Sequence, residues 1–237
     1  MTRSVIESSQ TRVLPLEFER AYPVVVRGDG VWVEAAGGTR YLDAMSGGSM
    51  AATLGHGRSD LVAAARAQAE RLAYVHNERL TNPPQEQLAH ELVEVAPEGF
   101  SRVRFVTSGS DANETAIQLA RTYHVERGEP SRWQVISFAQ AYHGPTMETL
   151  ALTGRPGLQG PFGPYLPETV SAFFCEAISA AALPASTPAR GFWEGLAERR
   201  ERHGFLVCFD EVVTGVGRTG RWFAGEETPE PGLAQQR

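Results

Sequence analysis

Residues 105–121 read FVTSGSDANETAIQLAR: an apolar run, a Ser-Gly-Ser turn, then apolar residues at helical spacing. A strand that turns sharply into a helix is the repeating unit of a parallel α/β sheet. The spacing predicts a strand over 102–107 and a helix from about Asp111. The turn has two readings. Gly109 permits close backbone approach, the amides of Ser110 and Asp111 fall in the first helical turn, and the hydroxyls of Ser108 or Ser110 add donors, which together suit a phosphate. Alternatively, Ser110 or Asp111 caps the helix, with Glu114 completing a capping box.

Working outward, the alternation recurs. WQVISF (133–138), VSAFFCEA (170–177) and FLVCFDE (205–211) read as strands, with helical patterns near 145–152 and over GFWEGLAERRERHG (191–204) between them. Strands alternating with helices imply crossover connections and a mainly parallel sheet covered on both faces. Upstream, SDLVAAARAQAERLAYV (59–75) and PPQEQLAHELVEVAP (83–97) predict two helices, the first capped by Ser59 and the second stopped by Pro97. Earlier still, VVVRGDGVWVEAAGGTRYLDAM (24–45) holds three short runs broken by glycines and predicts a small antiparallel meander. The expected domains are residues 1–50 (N-terminal segment and meander), 51–225 (sheet domain) and 226–237 (a tail without apolar period). Two loops, 153–167 and 180–189, lie where function often resides.

Composition limits the ligand classes. The 237 residues are 42% hydrophobic, as a globular chain is, and 28 acidic against 22 basic residues with no basic run exclude an extended nucleic-acid or acidic-membrane surface. No stretch approaches the roughly 20 apolar residues of a membrane helix, and MTRSVIESSQTRVLPLE lacks a signal-peptide core, so the expected location is cytoplasmic. Cys175 and Cys208 each sit in an apolar run and are expected as reduced core thiols, with no metal site. All 22 basic residues are arginine; the chain contains no lysine.

Two further positions stand at strand ends. Asp210 closes the apolar run FLVCFDE, and a carboxylate there either pairs with a neighbour or holds a ligand cation. Tyr142-His143-Gly144 follows WQVISF; the tyrosine either stacks on a flat ring or packs in a surface turn. GVGRTG (215–220) matches a dinucleotide-binding hexapeptide, but RWFAGEETPEPG after it is hostile to the helix that the fingerprint requires.

A phosphate cradle, an aromatic and a buried acid at the ends of different strands suit a phosphorylated pyridine. TSGSDANETAIQLAR, AYHG, Glu176 and FDEVVTGVGRTG, in this order, resemble the class III aminotransferases, pyridoxal-phosphate enzymes of fold type I, and GHGRSDLVAAA (55–65) resembles their Gly-His segment. The similarity runs from about Pro15 to Phe223. It implies an α/β fold with the mainly parallel sheet of the fold type I large domain, incomplete here, and an N-terminal meander. It implies pyridoxal 5'-phosphate as cofactor, an amine or omega-amino acid and a 2-oxo acid as substrates, and homodimers among family members.

By the same resemblance, Ser108, Gly109 and Ser110 hold the cofactor phosphate, Tyr142 stacks on the ring, Asp210 pairs with the ring nitrogen and Val212 packs on the opposite face. Asn113, Glu114, His143 and Glu176 match positions that shape the site, with Asp210 and Glu176 assigned to catalysis. The chain departs from the family at Asp111, where Glu is usual, at Ala177, where Pro is usual, and at Arg58-Ser59-Asp60, which interrupts the usual His-Pro. Family members continue past Gly-Arg-Thr-Gly into a segment with the Schiff-base lysine. The alternative expectation is therefore a truncated or split cofactor-binding fragment without turnover of its own.

Overall fold

The computed structural model describes residues 5–14, 18–48, 50–166, 172–179 and 185–228. It divides into two compact units, residues 1–81 and 82–237. This division lies beyond the 50/51 boundary suggested by the sequence and places the first helix with the meander.

In the first unit, β1 (Val5–Glu7) pairs antiparallel with β2 (Ala21–Pro23), a pair with no clear sequence signal. The meander forms as expected from β3 (Val25–Asp29), β4 (Trp32–Ala35) and β5 (Arg40–Leu42). Gly30 turns β3 into β4 with a φ of 55°, in the left-handed region that glycine enters without strain. The Gly-His segment folds back on this turn: Gly30 and His56 exchange backbone hydrogen bonds of 3.0 and 2.8 Å, and His56 Nε2 meets Asp43 Oδ2 at 2.9 Å. Gly28 has to be glycine, because a Cβ there would lie 2.6 Å from the His56 Cβ.

Helix α1 (Ser59–Arg71) follows, and its cap differs from expectation. Ser59 already lies inside the helix, Arg58 is the N-cap residue, and no side chain caps the end. The Arg58 guanidinium instead grips Asp60 through two hydrogen bonds of 2.8 and 2.5 Å. This holds the Asp60 carboxyl down at about 2.

In the second unit, α2 (Pro83–Val95) starts with Asn82 accepting from the Gln85 amide at 3.1 Å and ends just before Pro97. Residues 101–106 form no strand, contrary to the expected strand at 102–107. A strand exists only when paired, and among the described residues none pairs with this run. Helix α3 (Gly109–Glu126) comes next, then β6 (Ile136–Ser137), α4 (Met147–Leu152), α5 (Pro156–Gln159) and a 3-10 turn at Gly160–Tyr165. Finally come β7 (Ala172–Cys175), α6 (Phe192–His203), β8 (Leu206–Phe209) and a 3-10 turn at Ala224–Glu227.

Strands β6, β7 and β8 form one parallel sheet in that order. Strand alternation divides the core. Ala172 and Phe174 of β7 join Leu206 and Cys208 of β8 against Ala116, Ile117 and Ala120 of α3. Phe173 and Cys175, with Val207 and Phe209, pack against Phe192, Trp193 and Leu196 of α6. Both faces of the parallel sheet are thus covered, as the strand–helix alternation predicts. Cys175 and Cys208 are free thiols here; burial raises both, Cys208 to about 12. Of the expected tail, residues 226–228 are described; the 3-10 turn reaches Glu227, and Thr228 is buried with its hydroxyl donating to the Gly225 carbonyl at 2.8 Å. Residues 229–237 lie outside the described residues.

Candidate cofactor site

The carboxyl ends of β6, β7 and β8 carry Tyr142-His143-Gly144, Glu176 and Asp210. Parallel strands place these ends together, where helix N-termini also gather. Asp210 is buried, and its amide donates to the Cys175 carbonyl at 2.7 Å, which fixes its backbone to β7. Its carboxylate is met by three donors. Asn113 Nδ2 and His143 Nδ1 reach Oδ2 at 3.0 and 2.8 Å, and the Val212 amide reaches Oδ1 at 3.2 Å. The neighbour that this buried acid requires is therefore a polar network, with the His143 ring itself buried against Phe174.

Asn113 ties α3 into this network, since Nδ2 also donates to the His143 carbonyl at 2.9 Å. The next layer is threonine. The His143 amide donates to Thr153 Oγ1 at 3.0 Å, and that hydroxyl donates to the Thr149 carbonyl at 2.9 Å; both threonines are fully buried. Sequence reasoning passed over this pair. The available signal was two threonines four residues apart, one inside the short α4 and one just beyond its end.

The Ser-Gly-Ser turn sits on the same network. Gly144, with a φ of 132°, has no room for a Cβ, which would strike the Ser110 hydroxyl and lie 2.7 Å from Thr149 Oγ1. Likewise a Cβ on Gly109 would lie 2.9 Å from Val212 Cγ2. Ser110, Gly144, Gly109 and Val212 are thus close neighbours. The helix cap lies two residues before Ser110 and three before Asp111: Ser108 Oγ accepts from the Asp111 amide at 3.1 Å, while the Asp111 carboxylate accepts from the Thr107 hydroxyl. Side-chain hydrogen bonds to the Asp111 carboxyl, from Thr107 first and then from Ser108, hold it below its usual range. Among the described residues, nothing accepts from the amides of Gly109 and Ser110.

Tyr142 is half-buried, with the Arg155 guanidinium 5.2 Å from its ring centroid. Glu176 is buried at the end of β7, but its recorded partner is the Ser179 hydroxyl at 2.9 Å and not the Asp210 network. It lines a separate cavity of about 420 Å³ with Phe138, Gln140 and Phe192. GVGRTG opens no helix. Val216 and Gly217 donate to the carbonyls of Trp222 and Arg221, closing a tight turn that removes the dinucleotide reading. Among the described residues no cluster of His, Cys, Asp and Glu is arranged for a metal, and no helix is long and apolar enough to cross a membrane.

The residues present suit a phosphorylated, flat, cationic ligand. Two free amides and the Ser110 hydroxyl lie at one end of the network, an acid anchored by three donors stands at the other, and the buried His143 Nε2 has no partner. Comparison with known proteins agrees. Acetylornithine aminotransferase of Agrobacterium fabrum is 37% identical over 90% of this chain and 55% of its own length. A probable aminotransferase of Mycobacterium tuberculosis is 33% identical over 94% of this chain and 57% of its own length. Among solved structures, an omega transaminase of Pseudomonas jessenii in complex with PMP superposes with a TM-score of 0.83 at 28% identity, over 90% of this chain and 55% of that one. The chain spans a little over half the length of these relatives. The model of the family described as aminotransferase class-III matches residues 17–177 and 166–232, and the chain belongs to that family.

Proposed function

We propose that this chain holds pyridoxal 5'-phosphate and serves the transfer of an amino group between an amine or omega-amino acid and a 2-oxo acid. The observation that carries the reading is the buried Asp210 carboxylate, held by Asn113 and His143 beside the Ser-Gly-Ser turn. When bound, the cofactor supplies an electron sink for the carbanion formed at the substrate carbon. The sink works only while the ring nitrogen is protonated. Asp210 has lone pairs left on Oδ1 to accept that N–H, and its negative charge keeps the proton there. Asn113 and His143 orient the carboxylate. The amides of Gly109 and Ser110, at the positive end of α3, take the phosphate. Tyr142 and Val212 would flank the ring, while Glu176 stays outside this network in the neighbouring cavity. The absence of any lysine in the 237 residues favours a second reading, in which these residues bind the cofactor without turning over alone.

The test is titration of the purified chain with pyridoxal phosphate, followed by its absorbance. Asp210→Ala should weaken binding or abolish the band of the ring-protonated form, whereas Ser9→Ala, at an exposed position, should leave both unchanged. Equal behaviour of the two variants removes Asp210 from the role, and no saturable binding by the parent chain sinks the reading.

A further inference from the structure

We propose that the cavity at the end of β7 is a binding site for a primary alkylammonium ion, with Glu176 as its anion and Phe138 and Phe192 as its apolar walls. The cavity has a volume of about 420 Å³, the size of a small-molecule site. Strand order builds it. Strands β6 and β7 are parallel neighbours, so the segments leaving them, 138–140 and 176–179, emerge at the same edge of the sheet. Phe138 meets Phe192 of α6 with ring centroids 5.4 Å apart. An antiparallel bridge between Ser179 and Ser186, with two backbone hydrogen bonds of 2.8 Å, supplies a further wall.

Glu176 is the charged group of this cavity: among the described residues that line it, none is arginine or histidine. The residue is 4% exposed, so its carboxylate has given up nearly all of its water. Oε2 accepts from the Ser179 hydroxyl at 2.9 Å. Oε1 accepts from no described residue yet is not sealed from solvent, so its lone pairs open onto the cavity. A buried carboxylate with one neutral donor is undercompensated, and a cation that carries N–H groups corrects this. An alkylammonium has three such donors; one serves Oε1, and Gln140 and Ser186 on the lining offer acceptors for the others. Its alkyl chain lies against the two phenylalanine rings, whose faces also attract positive charge. An anion is repelled there, and a neutral alcohol leaves the carboxylate uncompensated. The Asp210 network is a different place, since its carboxylate already has three donors and does not line this cavity.

The test titrates the 237-residue chain, free of cofactor, with n-butylammonium chloride in a calorimeter, with sodium butyrate and butanol as controls for the alkyl chain. The expected result is saturable binding of the ammonium alone. Glu176→Gln, which keeps the shape and removes the charge, should weaken it at least about tenfold. Ala189→Trp, at an exposed position on the lining, should weaken it as much by filling the cavity while leaving the carboxylate intact, so a misfolded glutamine variant does not decide the matter. Glu194→Gln, an exposed acid of α6 outside the cavity, should leave binding unchanged, which separates the site from general attraction to an acidic chain. Deoxypyridoxine phosphate, a cofactor analogue without the aldehyde, should also leave it unchanged, whether or not the cofactor reading holds. The proposal is overturned by absence of saturable binding, by equal binding of butanol or butyrate, or by indifference to Glu176→Gln or Ala189→Trp. Displacement of the amine by deoxypyridoxine phosphate also overturns it, because that places the amine at Asp210.

Discussion

Asn113 uses one amide nitrogen on two acceptors, the His143 carbonyl and Asp210 Oδ2, and all three residues are buried. Removing that donor leaves a buried carbonyl and a buried carboxylate underpaired, at a cost of about 1–3 kcal/mol. Asn113→Ala should lower the unfolding free energy, measured by urea denaturation, by that amount. Asn113→Asp should cost more at neutral pH, since it sets a second carboxylate against Asp210, and should recover on acidification. An alanine variant as stable as the parent would show that the bridge contributes nothing. At this scale the residue types were legible and their partners were not. Asp210 declared itself by ending an apolar run, and Ser110 by opening a helix. Asn113 meets its acceptors 30 and 97 positions away, a pairing that only the folded sheet creates.

At the scale of elements, legibility depended on whether an element is defined by its own residues. Helices α2, α3 and α6 carry their periodicity and stop signals locally, and each formed where expected to within a few residues. The 102–107 run has strand composition but needs a neighbour, and so it stayed unpaired. The α3 cap was misread because the helix begins at Gly109, about half a turn before Asp111, which moves the capping role to Ser108. Ser108→Ala should then destabilise the chain by about 1 kcal/mol and Ser108→Gly by only a few tenths, measured by chemical denaturation. Comparable losses for Ser110→Ala alone would return the cap to the wrong residue.

The link between the meander and the Gly-His turn carries a pH dependence of its own. Asp43 is held below its ordinary value of 3.8, chiefly by the hydrogen bond from His56. A carboxyl with a lowered folded pKa contributes stability that is present above the unfolded value and lost as pH falls through the folded one. The Gly30–His56 backbone bridge should therefore keep its protection from hydrogen exchange at pH 5 and begin to lose it as the pH falls below about 4, the unfolded carboxyl's pKa, with the loss complete only below the lowered folded value. Asp43→Asn should remove this acid-sensitive step. A bridge equally protected at pH 5 and pH 3 would mean that Asp43 does not tie the turn.

For the chain as a whole, the decisive fact is compositional: 22 arginines and no lysine. A covalent hold on an aldehyde cofactor needs a primary amine that can lose its proton, and a guanidinium stays charged in proteins. The α-amino group of Met1 is the one primary amine among the 237 residues, and it lies outside the described residues. On the proposed reading, what this chain offers the cofactor is therefore non-covalent: a phosphate cradle at the start of α3, a carboxylate at the end of β8 and two flanking side chains. Positioned acid–base groups contribute about 10²- to 10⁴-fold to rates, and none of the residues around Asp210 is a free amine able to carry a proton between substrate and cofactor carbons. The purified 237-residue chain, saturated with pyridoxal phosphate and treated with borohydride, should yield no internal peptide carrying the cofactor when mapped by mass, and should transfer amino groups slowly or not at all. A modified internal peptide, or brisk transfer by the lysine-free chain, would require a nucleophile that the network around Asp210 does not contain.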